Sequence, residues 1–180
     1  MSSERDVERL VEFLVTRRSI RRFRPDPVSL ELVARLISVA RYAPSARNRQ
    51  PWAFIVVTDR EVIDRFSKLH RWAAPLRGAP LCVVVASDAS AAPVSFQVDG
   101  ANAAVYLMLA AHAHGLGSLW IQTLRNVGEI QQVLGLPEHL VPVAIIALGW
   151  PDDVPPPPPR KSLEELAFLN KYGEPLTTGR

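Results

Sequence analysis

Arg17-Arg18-Ser19-Ile20-Arg21-Arg22-Phe23-Arg24 places five arginines in eight residues, with no acid between Thr16 and Pro25 to neutralise them. Such a cluster must be solvated, neutralised by distant acids, or bound to an anion. Ser19 and the apolar Ile20 and Phe23 inside it argue against a purely solvated tail. Arginine pairs bidentately with phosphate, so part of the segment is expected to hold one. A solvated or ion-paired surface is the competing reading.

The chain of 180 residues suits one domain, 1–180, with a sizeable core. Its net charge of +3, from 21 basic and 18 acidic residues, is too mild for a general nucleic-acid or membrane binder. The single cysteine, Cys82, excludes an internal disulfide and fits a reducing compartment. The N-terminus lacks an apolar signal core. No run approaches the roughly 18 to 20 apolar residues of a membrane span. These features point to a cytoplasmic protein without membrane or nucleic-acid partners.

Helical spacing of Val7, Leu10, Val11, Leu14 and Val15 predicts a first helix capped by Ser3. Pro25 and Pro27 follow the basic segment, and Ser29 starts a second helix running out near Tyr42. Pro44 to Trp52 is polar and reads as a loop. Ala53–Thr58, Leu81–Ala86, Ser118–Gln122 and Val141–Leu148 are apolar runs that predict strands. Asp59 opens a third helix, 71–80 is expected to be irregular, and a long helix fits Ser95 to His114. Capping boxes are expected at Asn126/Glu129 and Ser162/Glu165, the latter helix running through Leu169. Pro155 to Pro159 favour a stiff polyproline strut. The element order predicts a sheet covered by helices on both faces, without the early βαβ start of a dinucleotide fold.

Arg-Arg-Ser-Ile-Arg-Arg-Phe, followed after a helix by Ala-Pro-Ser-Ala-Arg-Asn-Arg-Gln-Pro-Trp, resembles the nitroreductase family of flavoproteins. The resemblance continues through Asp99–Ala111, Gly115-Leu116-Gly117-Ser118-Leu119-Trp120 and Leu148-Gly149-Trp150-Pro151 before a basic pair. It implies an α+β, three-layer fold: a central mixed, mainly antiparallel sheet flanked by helices, in an intertwined homodimer with FMN at the interface. The tail from about residue 154 would then extend along the partner subunit. By the same resemblance, Arg17, Arg18, Ser19 and Arg21 match the segment holding phosphate, ribityl chain and one ring edge, while Arg22 and Arg24 are given no role and are expected to form surface or inter-element ion pairs. Pro44, Ser45, Ala46, Asn48 and Gln50 match the loop that the other subunit lays on the flavin. Gln122 and Thr123 match the strand end beside the isoalloxazine, and Arg160 and Lys161 a basic pair closing on the phosphate.

The implied activity is an FMN-dependent oxidoreductase that takes hydride from NADH or NADPH. It would reduce a small-molecule electron acceptor, such as a nitroaromatic or quinone, by a ping-pong mechanism. The flavin carries the chemistry, so no catalytic side chain and no metal ligand is assigned. Specialised reactions on similar sequences (dehalogenation, flavin fragmentation, enal reduction) and a non-enzymatic flavin-binding role are the alternatives. Outside the resemblance, Cys82 in its apolar strand reads as core. His112 and His114, two apart on a helix, do not share a face for a metal.

Overall fold

The computed structural model describes residues 3–176. Its elements run α1 (Glu4–Thr16), α2 (Leu30–Ala40), β1 (Trp52–Val57), α3 (Arg60–Phe66), β2 (Leu81–Asp88), α4 (Phe96–Ala113), β3 (Gly117–Gln122), α5 (Val127–Leu134), β4 (Leu140–Gly149) and α6 (Leu163–Leu166). The predicted order of helices and strands is the one observed; β2, β3 and β4 are longer by one or two residues, and β1 lies one residue earlier than expected. The strands form one sheet in the order β1-β2-β4-β3. All its ladders are antiparallel. The parallel component is a single bridge between Ser19 and Ser118.

β2 is buried from Leu81 through Ser87, as its unbroken apolar run requires of a central strand. Its alternate side chains feed two cores. Leu81, Val83 and Val85 join Ile146, Leu148, α2 and α4 on one face. Cys82 and Val84 join Ile145, Ala147, α3 and α5 on the other. Ser29 and Asp59 cap α2 and α3 through side-chain oxygens, as their residue types favour. Small residues on α4 let it approach the sheet: a Cβ on Gly100 would lie 2.8 Å from Val143 Cγ2. Val143 is the residue left over at a bulge, where Val85 faces Ala144 but Ala86 faces Pro142. The bulge is also what admits Pro142 to an interior strand.

Three local expectations are corrected. Residues Arg71–Gly78 form a 3-10 helix rather than an irregular connection, with Ala73 N donating to the His70 carbonyl and Ala79 N to that of Leu76. Asn126 occupies the cap of α5 but makes no side-chain cap bond, its backbone lying at φ −127°, ψ 20° instead of extended. The box at Ser162/Glu165 forms, yet α6 stops at Leu166, because the chain folds back to pair Leu169 N with the Glu174 carbonyl at 2.8 Å.

α1 buries none of its residues. Leu10 and Val15 on its apolar side are 61% and 65% exposed. Its C-terminal end is held by His112 of α4, which stacks on Phe13 at 5.0 Å and meets Thr16 Oγ1 at 3.1 Å.

Candidate functional site

The arginine segment leaves α1 in an extended conformation at Arg17. Arg18 turns back: its Nη1 donates to the Val15 carbonyl at 2.7 Å and to that of Arg17 at 2.8 Å. It thereby satisfies carbonyls orphaned at the helix end and places a cation at the negative pole of the dipole. Ile20 N then donates to the Ser118 carbonyl at 2.9 Å, and the buried Ile20 side chain lies over Gly117. A Cβ on Gly117 would sit 2.7 Å from Ile20 Cγ1, so only glycine lets the segment lie this close to β3. Arg22 and Arg24 close the arrangement through their backbones: Asp152 N donates to the Arg22 carbonyl, and Arg24 N to that of Trp150. The start of the C-terminal tail is therefore fixed beside the arginine segment.

The five arginines separate by chemistry. Arg22 faces Asp152 at 3.5 Å and Asp153 at 3.9 Å, and Arg24 faces Asp26 at 3.1 Å. These are the ion pairs expected of a surface cation. Arg17, Arg18 and Arg21 have no acid in ion-pair range among the described residues. Together with Ser19, Arg160 and the prolines 155, 156 and 158, they line a cleft of about 270 Å³. Arg17 Nη1 is buried without a hydrogen-bond partner among the described residues. Burial, then the neighbouring Arg18 and Arg160 charges, push the Arg17 pKa down. A half-buried guanidinium flanked by like charges, with one nitrogen shut off and unpaired, is costly unless an anion completes it. Arg160 is steadied by Nη1 bonds to the Pro158 and Pro159 carbonyls at 3.3 and 3.4 Å. Lys161 is exposed and does not line the cleft.

The Pro44–Gln50 loop lies apart from this cleft in the same chain. Asn48 and Gln50 line a different hollow with Arg41, Tyr42 and Ala43, while Pro44, Ser45 and Ala46 line neither. The backbone is unusual: Arg47, Asn48 and Gln50 have φ of 54°, 54° and 48°. Left-handed conformations at non-glycine residues cost energy and persist where surrounding bonds impose them. Those bonds are present. Gln50 N donates to Ser45 Oγ at 3.0 Å, and Gln50 Nε2 to Asn48 Oδ1 at 3.1 Å. From α4, Asp99 Oδ1 accepts from Ala46 N at 3.0 Å while Asn102 Nδ2 donates to the Pro44 carbonyl at 3.2 Å. Asp99 is 3% exposed, and its second oxygen accepts from Ser95 Oγ at 2.8 Å.

At the end of β3, Gln122 Oε1 accepts from Thr123 N at 2.8 Å and so caps its own turn. Thr123 is buried, and its hydroxyl donates to the Pro142 carbonyl at 2.7 Å. The Thr123 side chain is thus committed inside the fold. The Gln122 carbonyl accepts from His70 Nε2 at 3.0 Å, at the edge of a cleft of about 710 Å³. Cys82 is buried in the sheet, where desolvation pushes its thiol up to about 12, so it is no nucleophile. Among the described residues no cluster of His, Cys, Asp and Glu could hold a metal ion.

Sequence reasoning missed Asp99 and Asn102 as supports of the loop, and the prolines as a wall of the anion cleft. The one available signal was the lone acid, Asp99, in the first turn of α4.

The chain's sequence matches the model of the Nitroreductase family over residues 14–75 and 67–150. It is 35% identical over 151 residues to a protein of Methanothermobacter thermautotrophicus that carries the provisional name NADH dehydrogenase/NAD(P)H nitroreductase, covering 81% of this chain and 79% of that one. It is 31% identical over 191 residues to the 5,6-dimethylbenzimidazole synthase of Rhodospirillum rubrum, covering 89% of each. Among solved structures, an FMN-dependent nitroreductase from Clostridium difficile R20291 superposes with a TM-score of 0.81 at 31% identity. That match covers 90% of this chain and 99% of the other.

Proposed function

The chain belongs to the nitroreductase family, and from that premise we propose an FMN-dependent oxidoreductase that uses NADH or NADPH to reduce electron-poor acceptors such as nitroaromatics or quinones. The observation that carries the cofactor assignment is a cleft lined by four guanidinium groups, one of them that of Arg17, whose Nη1 is buried and has no partner among the described residues. A terminal phosphate fits that donor set: it accepts several charge-assisted bonds at once, and no acid lines the cleft to compete. Relatives named FMN reductase and oxygen-insensitive NADPH nitroreductase support the same cofactor pair.

When bound, FMN supplies a two-electron carrier that is reduced by the nicotinamide and reoxidised by the acceptor in separate half-reactions. The chain's residues bind and orient. Arg17, Arg21 and Arg160 hold the phosphate, with Ser19 as a neutral hydrogen-bonding group. Arg18 divides its donors between the α1 carbonyls and the cleft. Lys161 adds positive charge at the rim. Gln122, and the backbone of Thr123, border the ring system.

The second wall is contributed by another copy of the chain. The Pro44–Gln50 loop is rigidified by Asp99 and Asn102 yet lies outside the arginine cleft of its own chain. Its polar groups, Ser45, Asn48 and Gln50 with Pro44 and Ala46, would face the cofactor of a partner in a homodimer. The stripe left open on α1 supports that assembly.

The direct test is spectroscopic. The purified protein should be yellow, release FMN on acid treatment, and bleach anaerobically with NADH or NADPH. A colourless protein that cannot be reconstituted with FMN contradicts the proposal.

A further inference from the structure

We propose that the cleft between the Arg71–Gly78 turn and the start of α5 binds the charged end of a planar, anionic ligand. This deepens the proposed function, and rests on it in placing Gln122, which lines the cleft, beside the flavin. The cleft holds about 710 Å³, against about 270 Å³ for the arginine cleft. Its floor is Leu69, His70, Trp72 and Leu124, and its cations are Arg71 and Arg125.

Trp72 borders the cleft and is 70% exposed, so its ring is accessible to a ligand there. The Arg71 guanidinium stands 4.4 Å from its ring centroid, which forms a flat shelf carrying a positive charge. Leu124, half exposed, extends the apolar surface. No acid lines the cleft. The acid of α5, Glu129, is engaged with Arg65 at 3.5 Å, and neither Arg71 nor Arg125 has an ion pair among the described residues. Asn126 and the free Nε2 amide of Gln122 add neutral donors.

Apolar surface with two unneutralised guanidinium groups selects a flat molecule that bears a carboxylate or phosphate over its neutral counterpart. Two sources carry that chemistry: an aromatic acceptor with a carboxylate, or the adenosine 2′-phosphate end of NADPH. Arg71 and Arg125 would then set specificity, and Trp72 would supply the stacking face.

Isothermal titration calorimetry of the purified, flavin-loaded protein at low salt tests this without turnover. One arm compares 4-nitrobenzoate with 4-nitrobenzamide; the other compares adenosine 2′-monophosphate with adenosine. In at least one arm the anion should bind on the order of tenfold more tightly. That preference should vanish in the R71Q/R125Q variant, while W72A should weaken both members of the pair. The arm that shows the preference identifies the source. Equal binding within both pairs, or a preference that survives R71Q/R125Q in a variant with native circular dichroism, overturns the proposal. Protein that cannot be loaded with FMN overturns the functional reading instead; the same titrations on it still read the cleft.

Discussion

At the scale of single residues, the site depends on polar groups that burial makes expensive to disturb. Asp99 is the clearest case, since both its oxygens are engaged, one by the Ala46 amide and one by Ser95. Truncation to alanine removes the charged acceptor of the Ala46 amide and the Ser95 hydroxyl, a loss of about 1.5–3 kcal/mol. Asp99→Ala should lower stability by that amount in urea unfolding, and should raise the apparent Kd for FMN by freeing the Pro44–Gln50 loop. Asp99→Asn, which retains an acceptor for Ala46, should be milder in both respects. Equal behaviour of the two variants would show that the loop is held by other means. Asp99 and Asn102 were not legible in the sequence because they act across 53 and 58 residues. The arginine cluster was legible, since charge density without acids is a local property. The division between its paired and unpaired members follows the expectation that Arg22 and Arg24 form ion pairs; only the partners of Arg22, Asp152 and Asp153, were not legible, because they lie far along the chain.

At the scale of elements, the polyproline run has a specific task. Prolines 155, 156 and 158 form a wall of the anion cleft and carry Arg160 into it. A strut with restricted backbone torsions holds that cation at little entropic cost on binding. Replacing Pro156 and Pro158 with glycine should weaken FMN binding several-fold while leaving the thermal midpoint unchanged, because both residues are exposed. Unchanged affinity would mean that Arg160 is placed by the β4 end alone. Helices and strands were legible where caps and apolar runs are local. The errors share a cause in longer-range geometry: the hairpin that ends α6 early, and the backbone angle that denies α5 its side-chain cap.

At the scale of the whole molecule, α1 is the feature that one chain leaves unresolved. Val7, Leu10, Val11, Leu14 and Val15 are all more than half exposed, although each such side chain contributes roughly 1.5–3 kcal/mol when fully buried. Val98 and Val105 on α4 are exposed as well. A second copy covering these surfaces would also bring the Pro44–Gln50 loop to the site it lacks. Leu10→Glu combined with Leu14→Glu should convert the proposed dimer to a monomer in light scattering and lower FMN occupancy in parallel. A monomeric variant that retains full FMN affinity would place the whole cofactor site within one chain. Among the described residues no helix is long and apolar enough to cross a membrane, so the stripe on α1 is not a span.

The central claim is that Arg17 and its neighbours hold the phosphate of the flavin. The most direct measurement is the ratio of riboflavin to FMN dissociation constants, taken by fluorescence quenching for the native protein and for Arg17→Ala/Arg21→Ala. Each charge-assisted bond lost should cost about 1.5–3 kcal/mol. The native protein should therefore favour FMN by two orders of magnitude or more, and the double variant should lose most of that preference while its riboflavin affinity stays nearly constant. A native protein that binds riboflavin and FMN equally, or a double variant that keeps the full preference, would contradict the account.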